Sequence, residues 1–237
     1  MKRKAGLILT VVLIFLSVGF FVYTGIYYHA DTLAIAALES DEQVAVSQTS
    51  YGWYFDGPSN DQALVFYPGG KVEETAYAPF LHALAARGMD ACLIKMPFRL
   101  AVFGTNSADK AIQQHDYPHW YIGGHSLGGA VAAIYAAEHS GTFDGLILCA
   151  AFPTQTLPAD MKVVSLYGSE DHVISLSGVE KGRSYVSSGC YAEYVIHGGN
   201  HAQFGNYGTQ RGDGQASLTA QDQQREAIDV ILKEVSR

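Results

Sequence analysis

The sequence predicts an α/β protein, with a mostly parallel central sheet flanked by helices and one apolar helix ahead of it. Three observations predict this. Short runs that are apolar throughout recur between residues 63 and 196, as strands buried on both faces do. Helical patterns separate several of them, which makes successive strands parallel. A Gly124-His125-Ser126-Leu127-Gly128 turn also joins one apolar run directly to a helix of small residues.

The first element is the apolar one. Residues 1–4 hold Lys2, Arg3 and Lys4, and residues 5–28 hold no charge. As a helix, that stretch would span roughly 36 Å at 1.5 Å per residue, against a hydrocarbon core of about 30 Å. The expectation is a transmembrane anchor over 5–28 with a cytoplasmic basic tail, because no further Lys or Arg occurs before Lys71. Tyr23, Tyr27 and Tyr28 then sit near the outer interface, and the protein is a single-pass cell-membrane protein with its domain outside. The alternative is a cleaved signal peptide and a secreted domain. A signal peptide's apolar core usually runs only about 7–15 residues, and Ser17-Val18-Gly19, a possible small-x-small site, lies inside the run.

Residues 29–42 read as a short acidic tether and 43–237 as the folded domain. Beyond the anchor, 12 basic residues face 23 acidic ones, which excludes a generic nucleic-acid binder. Cys92 and Cys149 lie inside apolar runs and read as buried thiols. With Cys190 they form neither a disulfide framework nor a metal site.

Within the domain, 43–48 and 51–55 read as strands joined by a turn, an antiparallel entry to the sheet. Residues 63–67 form a strand that ends at Pro68-Gly69-Gly70, a loop signal. Helix 75–87 follows, with Gly88 at its C-cap position. Strands 90–96 and 120–123, helix 127–139, strands 146–151, 163–167 and 191–196, and helix 221–235 complete the order. Only residues 152–161 separate two of these strands, too few for a cap domain. Loops 98–116 and 204–219 are therefore the expected walls of an open site.

The chemistry starts at Ser126. A G-x-S-x-G turn between strand and helix pushes the serine Oγ into the open, and the helix N-terminus behind it offers free N–H groups to an oxyanion. A nucleophilic serine needs a base and a group that orients the base. Strand 163–167 runs into Gly168-Ser169-Glu170-Asp171-His172, where Asp171 is preferred to Glu170 as the acid. Strand 191–196 runs into His197-Gly198-Gly199-Asn200-His201. There His201, beyond a glycine turn, is preferred to His197, which reads as structural. His125 reads as packing that shapes the turn, and His172 as either site lining or surface.

These segments resemble the α/β-hydrolases, and more narrowly small capless bacterial members related to dienelactone hydrolases. The resemblance rests on Phe66 to Glu73, Lys95-Met96-Pro97-Phe98, Gly123 to Gly129, Gly168 to Asp171 and Gly198 to Gly205. It implies the α/β-hydrolase fold with Ser126 as nucleophile, His201 as general base and Asp171 as its partner. It also implies an oxyanion hole from the backbone N–H of Leu127 plus one after Tyr67, assigned to Gly70 with Lys71 as the close alternative. The Lys71 side chain is expected in solvent.

The resulting expectation is a serine ester hydrolase working through an acyl-enzyme on a small-molecule or lipid-like ester. No cofactor, metal or nucleic acid is expected, the membrane is met through the N-terminal helix, and the oligomeric state is left open. The alternatives are a catalytically silent anchored binding protein, or an acyltransferase or cofactor-free peroxidase on the same three residues.

Overall fold

The computed structural model describes residues 2–236 and the side chains of residues 9–236. Eight strands form one sheet: β1 (Ala45–Gln48), β2 (Gly52–Asp56), β3 (Gln62–Tyr67), β4 (Asp90–Ile94), β5 (His119–His125), β6 (Gly145–Cys149), β7 (Lys162–Gly168) and β8 (Tyr191–Ile196). Their order is β1-β2-β4-β3-β5-β6-β7-β8. The β1–β2 and β2–β4 pairs are antiparallel and all others parallel. From β3 the chain winds first to β4 on one side and then to β5 on the other. The strand order thus reverses at the β3–β5 pair, where a crevice opens beyond the strands' carboxyl ends.

Among the described residues, seven α-helices accompany the sheet: α1 (Lys2–Gly25), α2 (Thr32–Ala36), α3 (Ala78–Ala85), α4 (Ala108–Ile112), α5 (Leu127–Glu138), α6 (Leu176–Arg183) and α7 (Ala220–Val235). Alternation along β3 divides the core between the two faces of the sheet. Leu64 and Phe66 point into a layer with Phe80, Leu81, Leu84, Ile228 and Ile231 from α3 and α7. Ala63, Val65 and Tyr67 point into a layer with Val131, Ala132 and Tyr135 from α5. A strand covered on both sides must be apolar at every position, which is why these runs lack the polar alternation of a half-exposed strand.

Differences from the sequence expectation have local causes. The helix expected over 75–87 is a 3-10 turn, Glu74–Tyr77, followed by α3, with Pro79 in the first turn of α3, where its missing N–H costs nothing. Between β6 and β7, residues 150–161 carry no helix, so no cap covers the sheet there. α6 lacks a long apolar stripe and went unrecognised; Ser175 caps it, its side chain accepting from Gly178 N.

The N-terminal expectation changes most. Among the described residues no helix is long and apolar enough to cross a membrane, so the transmembrane anchor over 5–28 finds no support. The helix stops at Gly25, three positions before Tyr28. Tyr28 pairs instead with the folded domain: its N–H donates to Lys71 O at 2.8 Å, and its carbonyl accepts from Glu73 N at 2.9 Å. Residues 29–42, expected as a tether, are docked as well. Asp31 N–H donates to Asn206 O at 2.9 Å while its side chain caps α2, and Ala34 is fully buried.

Candidate active site

Ser126 sits between β5 and α5 with φ 52° and ψ −122°, a strained conformation for a residue with a Cβ. Its N–H donates to Cys149 O at 3.0 Å, which ties the turn to the neighbouring β6. The glycines around it are required by close approach. A Cβ on Gly128 would lie 2.3 Å from the carbonyl oxygens of both Tyr67 and Pro68, and one on Gly124 2.5 Å from Tyr67 O. The start of α5 therefore rests directly on the end of β3.

That contact brings two backbone donors together. Leu127 N–H, at the first helical position, and Gly70 N–H have no hydrogen-bond partner among the described residues. A Cβ on Gly70 would meet Leu127 Cδ2 at 2.9 Å. The competing donors are committed elsewhere: Gly69 N–H to the Tyr77 hydroxyl at 3.0 Å, and Lys71 N–H to Arg99 O at 2.8 Å. Lys71 is thus removed as an oxyanion donor. Its side chain is not simply solvated either, since its Nζ lies 4.0 Å above the Tyr23 ring.

Asp171 and His201 meet directly. Asp171 Oδ2 accepts from His201 Nδ1 at 2.8 Å, and both side chains are shielded from solvent. Asp171 Oδ1 accepts from Val173 N and Ile174 N, each at 2.8 Å. Three donors around one carboxylate fix its plane. On the other side of the ring, His201 Nε2 is buried and makes no hydrogen bond. The structure thus joins Asp171 to His201 but shows no Ser126–His201 hydrogen bond. The His125 ring, next to Ser126 in sequence, stands 4.6 Å from the His201 ring.

His125 is fully buried and its Nδ1 meets the Tyr77 hydroxyl at 2.8 Å. Burial, with the neighbouring His201 adding to it, holds this imidazole well below its ordinary pKa. It therefore stays neutral while Tyr77 links it to the Gly69 loop. His197 and His172 are exposed, and Glu170 bonds to Ser169 Oγ at 2.9 Å rather than to a histidine.

Two positioning residues escaped the sequence reading. Asp213 accepts from His201 N at 3.2 Å, Ala202 N at 2.9 Å, Gly214 N at 2.8 Å and His172 N at 3.4 Å. One carboxylate thus holds the loop carrying His201 against the loop carrying Asp171 and His172. Gln223 of α7 accepts from Asn200 N at 2.9 Å and donates to Asn200 O at 2.8 Å, clamping the turn before His201. A glycine-flanked aspartate and a helical glutamine carry no sequence signal for such roles. Asp213→Asn is expected to lower any turnover that depends on His201 roughly 10-fold to 100-fold with a smaller change in KM, because a displaced His201 loses alignment; steady-state kinetics would show it.

No metal-holding cluster of His, Cys, Asp or Glu occurs among the described residues. Cys92 and Cys149 are buried thiols, and burial raises both, Cys92 to about 12.

A model of the family described as "Alpha/beta hydrolase family" matches residues 63–226, which run from β3 into the first turns of α7. Solved structures share the fold at low identity. A Thermus thermophilus protein, TT1662, is 16% identical with a TM-score of 0.58, covering 82% of this chain and 99% of its own. A candidate dienelactone hydrolase from Klebsiella pneumoniae is 14% identical with a TM-score of 0.58, covering 83% of this chain and 100% of its own. The mouse alpha/beta hydrolase domain-containing protein 10 is 11% identical with a TM-score of 0.58, covering 82% and 98%. No curated protein sequence matches this chain significantly.

Proposed function

We propose that this chain, which belongs to the alpha/beta hydrolase family, is a serine hydrolase that cleaves carboxylic esters through an acyl-enzyme. The observation that carries the reading is the shielded Asp171–His201 pair, whose free Nε2 is left buried close to the Ser126 turn. Ser126 Oγ attacks the ester carbonyl and His201 Nε2 takes its proton. Asp171, bonded to Nδ1, fixes the tautomer and stabilises the imidazolium that forms. The tetrahedral oxyanion is met by the N–H groups of Leu127 and Gly70, each worth about 10²–10³ in rate. The alcohol departs with the proton from His201. Water then attacks the acyl-enzyme with His201 again as base, restoring Ser126.

The strained φ at Ser126 supports this reading, since a plain tight turn would have no reason to hold a serine there. The test is labelling with a fluorophosphonate probe together with hydrolysis of p-nitrophenyl acetate. Wild-type protein is expected to label and turn over, and Ser126→Ala to do neither. Labelling that survives in Ser126→Ala would remove the nucleophile assignment. A folded wild-type protein inert to both reagents would point to a binding protein on the same scaffold.

A further inference from the structure

We infer that α1 and the loop beside the oxyanion donors form one lipid-inserting surface, and that the ester reaches Ser126 from a lipid layer. This inference rests on the proposed hydrolase function for its substrate part only. Its lipid part rests on α1 itself. Val11, Val12, Leu13, Ile14, Phe15 and Leu16 are all exposed, Phe15 at 73%. Six consecutive residues at 100° each go more than once round a helix. A protein groove would cover one stripe of such a helix, whereas hydrocarbon surrounds it. The occupant the helix calls for is therefore lipid.

The other end of α1 is seated on the site's rim. Phe20 packs edge-on against Phe98 and Phe103, with ring centroids 5.1 and 5.8 Å away. Lys71 Nζ lies over the Tyr23 ring at 4.0 Å, and the Arg99 guanidinium over the Tyr27 ring at 3.4 Å. Aromatic rings and long cationic side chains of this kind favour the headgroup level of a bilayer. Phe98, Val102 and Phe103 stay about half exposed, so the apolar surface continues from the helix onto the rim.

The rim is also next to the chemistry. Arg99 O holds Lys71 N–H, and Gly70, the candidate oxyanion donor, lies between Leu127 and Leu100. The exposed apolar side chains of the helix run from Leu9 to Tyr23, about 20 Å of helix that enters the hydrocarbon. With the Tyr23–Tyr27 band at headgroup depth, an acyl chain can stay in the lipid while its ester carbonyl reaches the crevice at the β3–β5 ends.

The full chain should float with phosphatidylcholine vesicles, and more strongly when they contain phosphatidylglycerol, given Lys71 and Arg99. Phe15→Asp, far from the site, should weaken vesicle partition about 100-fold and slow hydrolysis of p-nitrophenyl palmitate held in the vesicles. Hydrolysis of p-nitrophenyl acetate in solution should be unchanged, which also shows that the variant is folded. A wild-type chain that stays with the unbound protein, or a Phe15→Asp chain that cleaves vesicle palmitate at the wild-type rate, overturns the inference. So does a chain that fails to float and instead dimerises through α1, seen as a dimer by ultracentrifugation that Phe15→Asp breaks. Flotation of a wild-type chain inert to both esters would defeat the hydrolase reading and leave the lipid surface supported.

Discussion

Asp171→Asn is expected to lower kcat about 10⁴-fold while the protein stays folded. The asparagine carbonyl can still accept from Val173 N–H and Ile174 N–H, which now bond Asp171 Oδ1 at 2.8 Å each. Its amide then faces His201 Nδ1 as a donor. The imidazole must place its own proton on Nε2, the atom that has to receive the serine proton, so the base is in the wrong tautomer. The loss of charge also removes support for the imidazolium in the transition state. Stopped-assay kinetics on p-nitrophenyl acetate, with near-ultraviolet circular dichroism as the fold control, measure this. A loss below about 10-fold would mean that Asp171 does not orient the base. Glu170, bonded to Ser169, would then have to be tested in its place.

Gly128→Ala carries the second large effect, and it joins stability to rate. The added methyl would lie 2.3 Å from two backbone carbonyl oxygens, Tyr67 O and Pro68 O, and neither is the end of a flexible side chain. α5 has to move off the end of β3, at a cost of about 1–3 kcal/mol. That shift separates Leu127 N–H from Gly70 N–H, and losing one oxyanion donor costs about 10²–10³ in rate. The expected result is a modest fall in the urea midpoint together with a fall in kcat of about 100-fold or more, with fluorophosphonate labelling slowed to match. A variant as stable and active as wild type would show that α5 does not need this close seat on β3.

Much of the fold was legible because its signals are local. The apolar runs at 63–67, 146–151 and 163–167 correspond to β3, β6 and β7 within two residues at each end. The small-residue run after Ser126 is α5, and the glycines at 124 and 128 announce a turn that no Cβ could enter. Where a signal needed a partner distant in sequence, legibility ended. Nothing in Ile26–Tyr28 says that its backbone pairs with Lys71–Glu73, or that the pairing ends the helix at Gly25. The apolar composition that suggested a membrane span describes a helix whose far end is docked on the domain. Helix α6, polar on most of its surface, gives no periodic stripe and is placed by tertiary contacts.

The candidate site divides in the same way. Sequence by itself determined the residue types and their order: a serine on a strand-to-helix turn, then an acid, then a histidine after later strands. These follow from chain-local chemistry, because a turn that needs glycine or a strand that needs continuous apolar residues writes itself into neighbouring positions. Tertiary structure alone decided which backbone donors stay free. Lys71 N–H is taken by Arg99 O, and Gly69 N–H by Tyr77, while Gly70 N–H has no partner. It alone brought Asp213 and Gln223 to the loops they hold. A hydrogen bond between residues far apart in the chain depends on where folding places both ends, and neither end records its partner in its own neighbourhood.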